Sequence, residues 1–177
     1  MAKAKVRKRD TYVLSVDPGV DFGWALWSCE HFDVLCPPVD VGVVKTKAKD
    51  EWQRRTLDGL DVLSGIMRDN KCASVFCEWP NLFAGAHGRA VAGRGDLGKL
   101  YAWCGGLMYA AHAQGVPFVP VTVQQWKGQL SKRIVCDRIV NRIGNACASL
   151  TPRTGKDRAG SHDWDAVGIG LWVKGEF

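Results

Sequence analysis

Three titratable residues fall within four positions of residues 161–170, SHDWDAVGIG: His162, Asp163 and Asp165, leading directly into an apolar segment. Two further carboxylates stand where hydrophobic runs stop: Asp17 in TYVLSVDPG and Glu78 in CASVFCEWP. A carboxylate at the end of a buried strand is costly unless a cation neutralises it. Taken singly, Asp17 before Pro-Gly reads as ordinary turn chemistry. Two such strand ends in a chain of net charge +6 point instead to a divalent-metal site, and hard oxygen ligands suit Mg²⁺ or Mn²⁺. If Ser161 caps a helix, His162 and Asp165 share one face. Asp163 then turns away as a capping or dipole residue near the positive helix end. His162 and Asp165 are therefore the candidate ligands.

Periodicity indicates the elements that must position these groups. Residues 11–19 read as a buried strand ending in Asp and a Pro-Gly turn, and residues 22–28 as a second strand paired to it as a hairpin. A third strand lies within residues 32–46, interrupted by Pro37 and Pro38. Over residues 50–70, Leu57, Leu60, Leu63 and Met67 fall at helical spacing, with Arg54, Arg55 and Arg68 left to water. Residues 72–80 form a short strand ending in Glu78, followed by the Gly- and Ala-rich loop NLFAGAHGRAVAGRGD and a helix over 97–114. The prolines of residues 116–122 favour a strand at a sheet edge. Thr122 and Gln125 fit a capping box opening a short helix over 124–130. Val135, Ile139, Ile143 and Ala146 mark another helix, with Lys132, Arg138 and Arg142 on its wet side. Gly168 and Gly170 leave the last segment open between helix and strand. A hairpin start joined to later βα crossovers gives an α/β fold, a mixed sheet flanked by helices. Chemistry in such sheets gathers at the carboxyl ends of the parallel strands, where Asp17 and Glu78 stand.

A chain of 177 residues reads as one domain with a real core, and 46% hydrophobic content with eight tryptophans excludes a disordered binder. No apolar run reaches the ~18 residues of a membrane span. MAKAKVRKRD lacks the apolar stretch of a signal peptide, and seven cysteines without a CxxC pair suggest reduced thiols and a cytoplasmic setting. Residues 1–10 form a basic arm, carrying Lys3, Lys5, Arg7, Lys8 and Arg9, ahead of a single domain over 11–177. That arm reads equally as a solvated tail or a grip on DNA. Further basic groups lie between residues 84 and 99 and at Arg153, Lys156 and Arg158; the excess charge points to nucleic acid as partner. Cys29, His31 and Cys36 lack zinc-site spacing and a fourth ligand. His87 and His112 read as non-catalytic, and Trp24, Trp27 and Trp103 suit core or dimer packing.

From VDPGVDFGWALW through VFCEWP to HDWDAVGIG, the sequence resembles the RuvC-type Holliday-junction resolvases of the RNase H-like superfamily. The resemblance implies an RNase H-like five-stranded mixed sheet and a homodimeric, Mg²⁺- or Mn²⁺-dependent endonuclease acting on four-way DNA junctions. It implies two ions per site, held by Asp17, Glu78, His162 and Asp165. The stretch PVTVQQWKGQLSK resembles the family segment that brings lysines to the scissile phosphate, nominating Lys127 and, less specifically, Lys132. The loop after Glu78 resembles one that enters the junction centre. There Phe83 would stack on an unpaired base or pack beneath the loop, with Arg89, Arg94 and Lys99 towards phosphates. The same metal residues would serve another nuclease of this fold, acting on RNA–DNA hybrids or flaps, and a non-catalytic junction binder is a further alternative. The actin-like kinase fold also begins with an acidic hairpin, but it needs two related domains.

Overall fold

The segment YVLSVD forms strand β1, Tyr12–Asp17, and strand alternation sends its side chains to two different cores. Leu14 and Val16 enter one core and Val13 the other, with Ser15 and Asp17 on Val13's side. This computed structural model describes residues 11–19, 21–31, 36–46, 51–80, 96–144 and 162–177. The other strands are β2 (Phe22–Ser28), β3 (Asp40–Val44), β4 (Cys72–Trp79) and β5 (Phe118–Thr122). They make one sheet in the order β3-β2-β1-β4-β5. β2 is antiparallel to both β1 and β3, while β4 is parallel to both β1 and β5. β5 is the edge strand its prolines indicated. A short 3-10 turn at Cys29–His31 follows β2.

Helices α1 (Trp52–Asp69) and α2 (Asp96–Ala113) cover the Leu14–Val16 face, contributing Leu63, Met67, Trp103, Cys104 and Leu107 to its core. Helices α3 (Val123–Trp126), α4 (Lys132–Ile143) and α5 (His162–Val173) serve the opposite face. The stripe expected on α1 is corrected at one position. Leu57 is 58% exposed, and the buried positions are Gly59, Leu63 and Met67. The Phe22 ring fills the space beside Gly59, so close that a Cβ there would stand 1.9 Å from it. Arg55 also departs from expectation: its side chain is folded in, and its Nε donates to Thr46 Oγ1 at 2.6 Å. Cys29, Cys36, Cys72, Cys77, Cys104 and Cys136 form no disulfides. No described helix is long and apolar enough to cross a membrane.

The ambiguity of the last segment resolves as helix, and its glycines have a packing role. A Cβ on Gly168 would come within 2.5 Å of the Trp126 ring, and one on Gly170 within 2.2 Å of Trp27. Both indoles use the room that the missing side chains leave. Trp27 Nε1 then donates to Ser15 Oγ at 2.9 Å, and Ser15 Oγ donates to the Ala166 carbonyl at 2.7 Å. Ser15 is fully buried, so this chain of hydrogen bonds ties α5 to β1 two residues before Asp17.

The start of α5 lies equally tight against β2. A Cβ at Gly23 would stand 1.9 Å from the His162 carbonyl oxygen, a backbone atom that cannot swing aside. Gly23→Ala is expected to destabilise the protein by ~1–3 kcal/mol, the usual cost of overpacking, as read from urea melts. An unchanged urea midpoint would show that α5 is not seated on β2 as described.

Candidate active site

Alternation and register bring the first two acids together. Ser15 pairs with Phe76 and Val16 with Cys77, and one residue further along the two parallel strands lie Asp17 and Glu78. Val75 and Cys77 belong to the core under α1 and α2, whereas Phe76 packs against the opposite core. Glu78 therefore faces the α5 side, as Asp17 does. There the N-terminal turn of α5 adds His162 and Asp165. His162 Nδ1 stands 2.6 Å from Asp17 Oδ2. Asp17 is 4% exposed and Asp165 6%.

The fourth contribution comes from β5 and α3. The capping box at Thr122 is present: Thr122 Oγ1 accepts from the Gln125 N–H, and Gln125 Oε1 accepts from the Thr122 N–H at 2.7 Å. This box fixes the turn that delivers Trp126 and Lys127. Trp126 Nε1 donates to Glu78 Oε2 at 2.8 Å, and Lys127 Nζ lies 4.5 Å from the centroid of the same indole ring. The Lys127 ammonium sits 3.7 Å from both Glu78 Oε2 and Asp165 Oδ2. Lys132 Nζ, on a more exposed side chain, is 3.4 Å from Asp165 Oδ2.

The electrostatics follow from crowding acids in a dry place. Burial pushes the Asp17 carboxyl above its usual range, with the His162 hydrogen bond opposing and the nearby Asp165 charge adding to the rise. Glu78 is raised to about 7, chiefly by burial and then by the charge of Asp17, against the pull of Lys127 and Trp126. His162 is raised above its ordinary value because its imidazolium would donate to Asp17. Among the described residues no three His, Cys, Asp or Glu side chains stand close enough together to hold a metal ion as they are arranged. The donor chemistry nevertheless suits a hard divalent cation: three carboxylates and an imidazole gathered at a largely buried edge.

The structure thus brings together Asp17, Glu78, His162, Asp165, Lys127 and Lys132. Lys99 is exposed near the start of α2 and lies outside this cluster. Phe83, Arg89, Arg94, Arg153, Lys156, Arg158 and the basic arm over 1–10 fall outside the described residues. Asp163 is only 1% exposed, and its Oδ1 accepts from the Trp164 N–H at 3.1 Å, which suits a helix-end role. Trp126 and Ser15 were not among the residues singled out from sequence. Trp126 had a usable signal, since it directly precedes Lys127 in the turn that the capping box opens. Trp126→Phe keeps a ring in place but removes the N–H that holds Glu78. If Glu78 serves a divalent ion, such loss of an orienting partner is expected to weaken metal-dependent activity about 10- to 100-fold and to raise the Mg²⁺ concentration needed for half-activity. An unchanged Mg²⁺ requirement would show that the indole does not position Glu78.

The sheet order and its covering helices define an RNase H-like α/β domain. Within that class the chain has the fold of solved RuvC-type resolvases. A Thermus thermophilus RuvC in complex with a Holliday-junction substrate matches with a TM-score of 0.65 and 20% identity, over 91% of this chain and 90% of that one. A second Thermus thermophilus RuvC structure matches with a TM-score of 0.59 and 18% identity, over 91% and 92%. The yeast mitochondrial Holliday-junction resolvase Ydc2 matches with a TM-score of 0.59 and 12% identity, over 94% of this chain and 79% of that one. No protein-family model and no curated protein sequence matches the chain.

Proposed function

We propose that this protein is a metal-dependent endodeoxyribonuclease that resolves four-way DNA junctions by paired, symmetric cleavage. The observation that carries the reading is the convergence of Asp17, Glu78, His162 and Asp165 around Lys127, from elements distant in sequence. The fold likeness to a RuvC in complex with a Holliday-junction substrate supports the choice of DNA. Two Mg²⁺ or Mn²⁺ ions per site, when bound, supply Lewis-acid polarisation of the scissile phosphate and a water acidic enough to attack it. Asp17, central in the cluster, would contact both ions, with Glu78 serving one and His162 and Asp165 the other.

The chain's own residues do the remaining work. Asp17 orients the His162 imidazole through the Nδ1 contact. Trp126 holds Glu78, and the Lys127 ammonium, 3.7 Å from Glu78, would meet a non-bridging phosphate oxygen as a point charge. Lys132 meets the backbone beside it, as do Lys99, Arg89, Arg94, Arg153, Lys156 and Arg158 over a wider path. Phe83 stacks on an unpaired base at the junction centre. Hydrolysis needs no covalent enzyme intermediate. Because a four-way junction offers two equivalent strands, paired cutting calls for a homodimer with two sites.

The test is a labelled panel of four-way junction, duplex, flap and RNA–DNA hybrid, each with and without Mg²⁺. Mg²⁺-dependent, symmetric nicking of the junction in preference to the others is the expected result. Preference for hybrid or flap would reassign the substrate, and binding without cleavage would overturn the enzymatic reading.

A further inference from the structure

Beside the acidic cluster, on the other face of the sheet, a cavity of about 230 Å³ opens between the turn after β1, helix α1 and the start of α2. Its walls include the Phe22 and Trp103 rings, stacked at 3.6 Å between centroids with 29° between their planes. Trp52 forms another wall and is 40% exposed, unusual for so large an apolar side chain. Arg55 and Lys99 bring positive charge to the same cavity. Arg55 is held in place by Thr46 and lies 4.0 Å from Asp21, and Lys99 is an exposed residue.

The cavity and the acids are separated only by Pro18 and Gly19. Gly19 lines the cavity, and a Cβ on it would come within 2.5 Å of His162 Cε1, so the ligand histidine touches the back of the cavity wall. Whatever occupies the cavity is one turn of chain away from Asp17. At about 230 Å³ it falls below the roughly 300–1,000 Å³ of sites that engulf a whole drug-sized ligand, and it suits a single flat ring. Aromatic walls bind the π-face of any base, and flanking cations meet the attached phosphate.

We propose, building on the nuclease reading above, that this cavity receives one unstacked nucleobase of the DNA strand being cut. Trp52 supplies the stacking surface and Lys99 the adjoining phosphate contact. A base seated there holds its phosphodiester at the Asp17 edge, so strand placement depends on a base being free to leave the stack. Branched DNA offers such a base at little cost, whereas an intact duplex must first unpair one. The cavity thereby adds a selection for distorted DNA that does not depend on the metal ligands.

The test uses metal-free protein and two probes, hexathymidylate and a hexamer of abasic residues with the same phosphates, in fluorescence anisotropy at low salt. Wild type is expected to bind the thymidine probe about tenfold or more tightly than the abasic one. Trp52→Ala should collapse that preference, Trp52→Phe should keep most of it, and Thr56→Trp, which fills the cavity, should also abolish it. Lys99→Ala should weaken both probes alike. Equal binding of the two probes by wild type would overturn the proposal, as would a preference that survives both Trp52→Ala and Thr56→Trp in folded protein. Because these measurements involve neither metal nor cleavage, failure of the junction-cleavage panel leaves their outcome intact and separately readable.

Discussion

If the proposed junction nuclease is correct, Asp17→Asn and Asp165→Asn are each expected to abolish junction cleavage, a loss of about 10³-fold or more, while junction binding survives. The size follows from the several kcal/mol of charge stabilisation that a held divalent ion supplies, at 1.36 kcal/mol for each factor of ten. Either substitution removes a full negative charge from a site assembled to attract cations, yet keeps the side chain's shape. Asp17 is buried and its carboxyl is pushed upwards, so the neutral amide avoids a desolvation cost. The melting temperature of Asp17→Asn is therefore expected to stay level or rise as activity disappears. Cleavage assays with Mg²⁺ and gel-shift assays without it check the two halves. Full activity in either variant would remove these residues from the chemistry.

Stability of the metal-free protein should fall as pH rises, opposite to the behaviour of paired surface carboxylates. Glu78 is raised from 4.5 to about 7, and both Asp17 and His162 are raised above their ordinary values. All three groups hold protons more tightly folded than unfolded. The slope of stability against pH is therefore negative over the range where the folded state carries the extra protons. For Glu78 the stabilising contribution is complete below 4.5 and is lost as pH rises through about 7; for His162 it is lost as pH rises through its raised folded value. The shift at Glu78 corresponds to ~3 kcal/mol at most, or roughly 5–10 °C in melting temperature for a chain of this size. Bound Mg²⁺ would replace those protons, so its stabilisation should be large near pH ~8 and small near pH ~5. Thermal melts across pH, with Mg²⁺ or a chelator, measure this directly, with Asp17→Asn as a flatter control. A melting temperature that climbs through this window without metal would contradict the crowded-acid picture.

The sheet and most of its helices were legible in the sequence because their signals are local. Strand alternation, the prolines of β5 and the Thr122–Gln125 box are each written within a few residues. The helical stripe on α1 failed at Leu57, and Gly59 is buried instead, against Phe22 of β2. The glycines of α5 were ambiguous. Their meaning lies in Trp27 and Trp126, which no local window contains. The acids were found by type and position, but their shared face depends on the β1–β4 register, a long-range quantity. The hydrogen bond from Trp126 to Glu78 depends on the same register, extended through β5.

The separation of the cluster along the chain has a consequence for synthesis. His162 and Asp17 are 145 residues apart, and the Ser15 hydroxyl takes its acceptor, Ala166, from 151 residues downstream. A nascent chain that has emerged as far as β5 already holds Asp17 and Glu78, but one side of its sheet is bare. Ser15 then keeps Trp27 and the Ala25 carbonyl as partners but lacks its Ala166 acceptor, and Trp27 has no Gly170 to rest on. The acid cluster is thus completed only by the docking of α5, after the five described strands have been made. On the proposed nuclease reading, a polypeptide still short of α5 is expected to leave the nucleic acid around it uncut, including the message being translated.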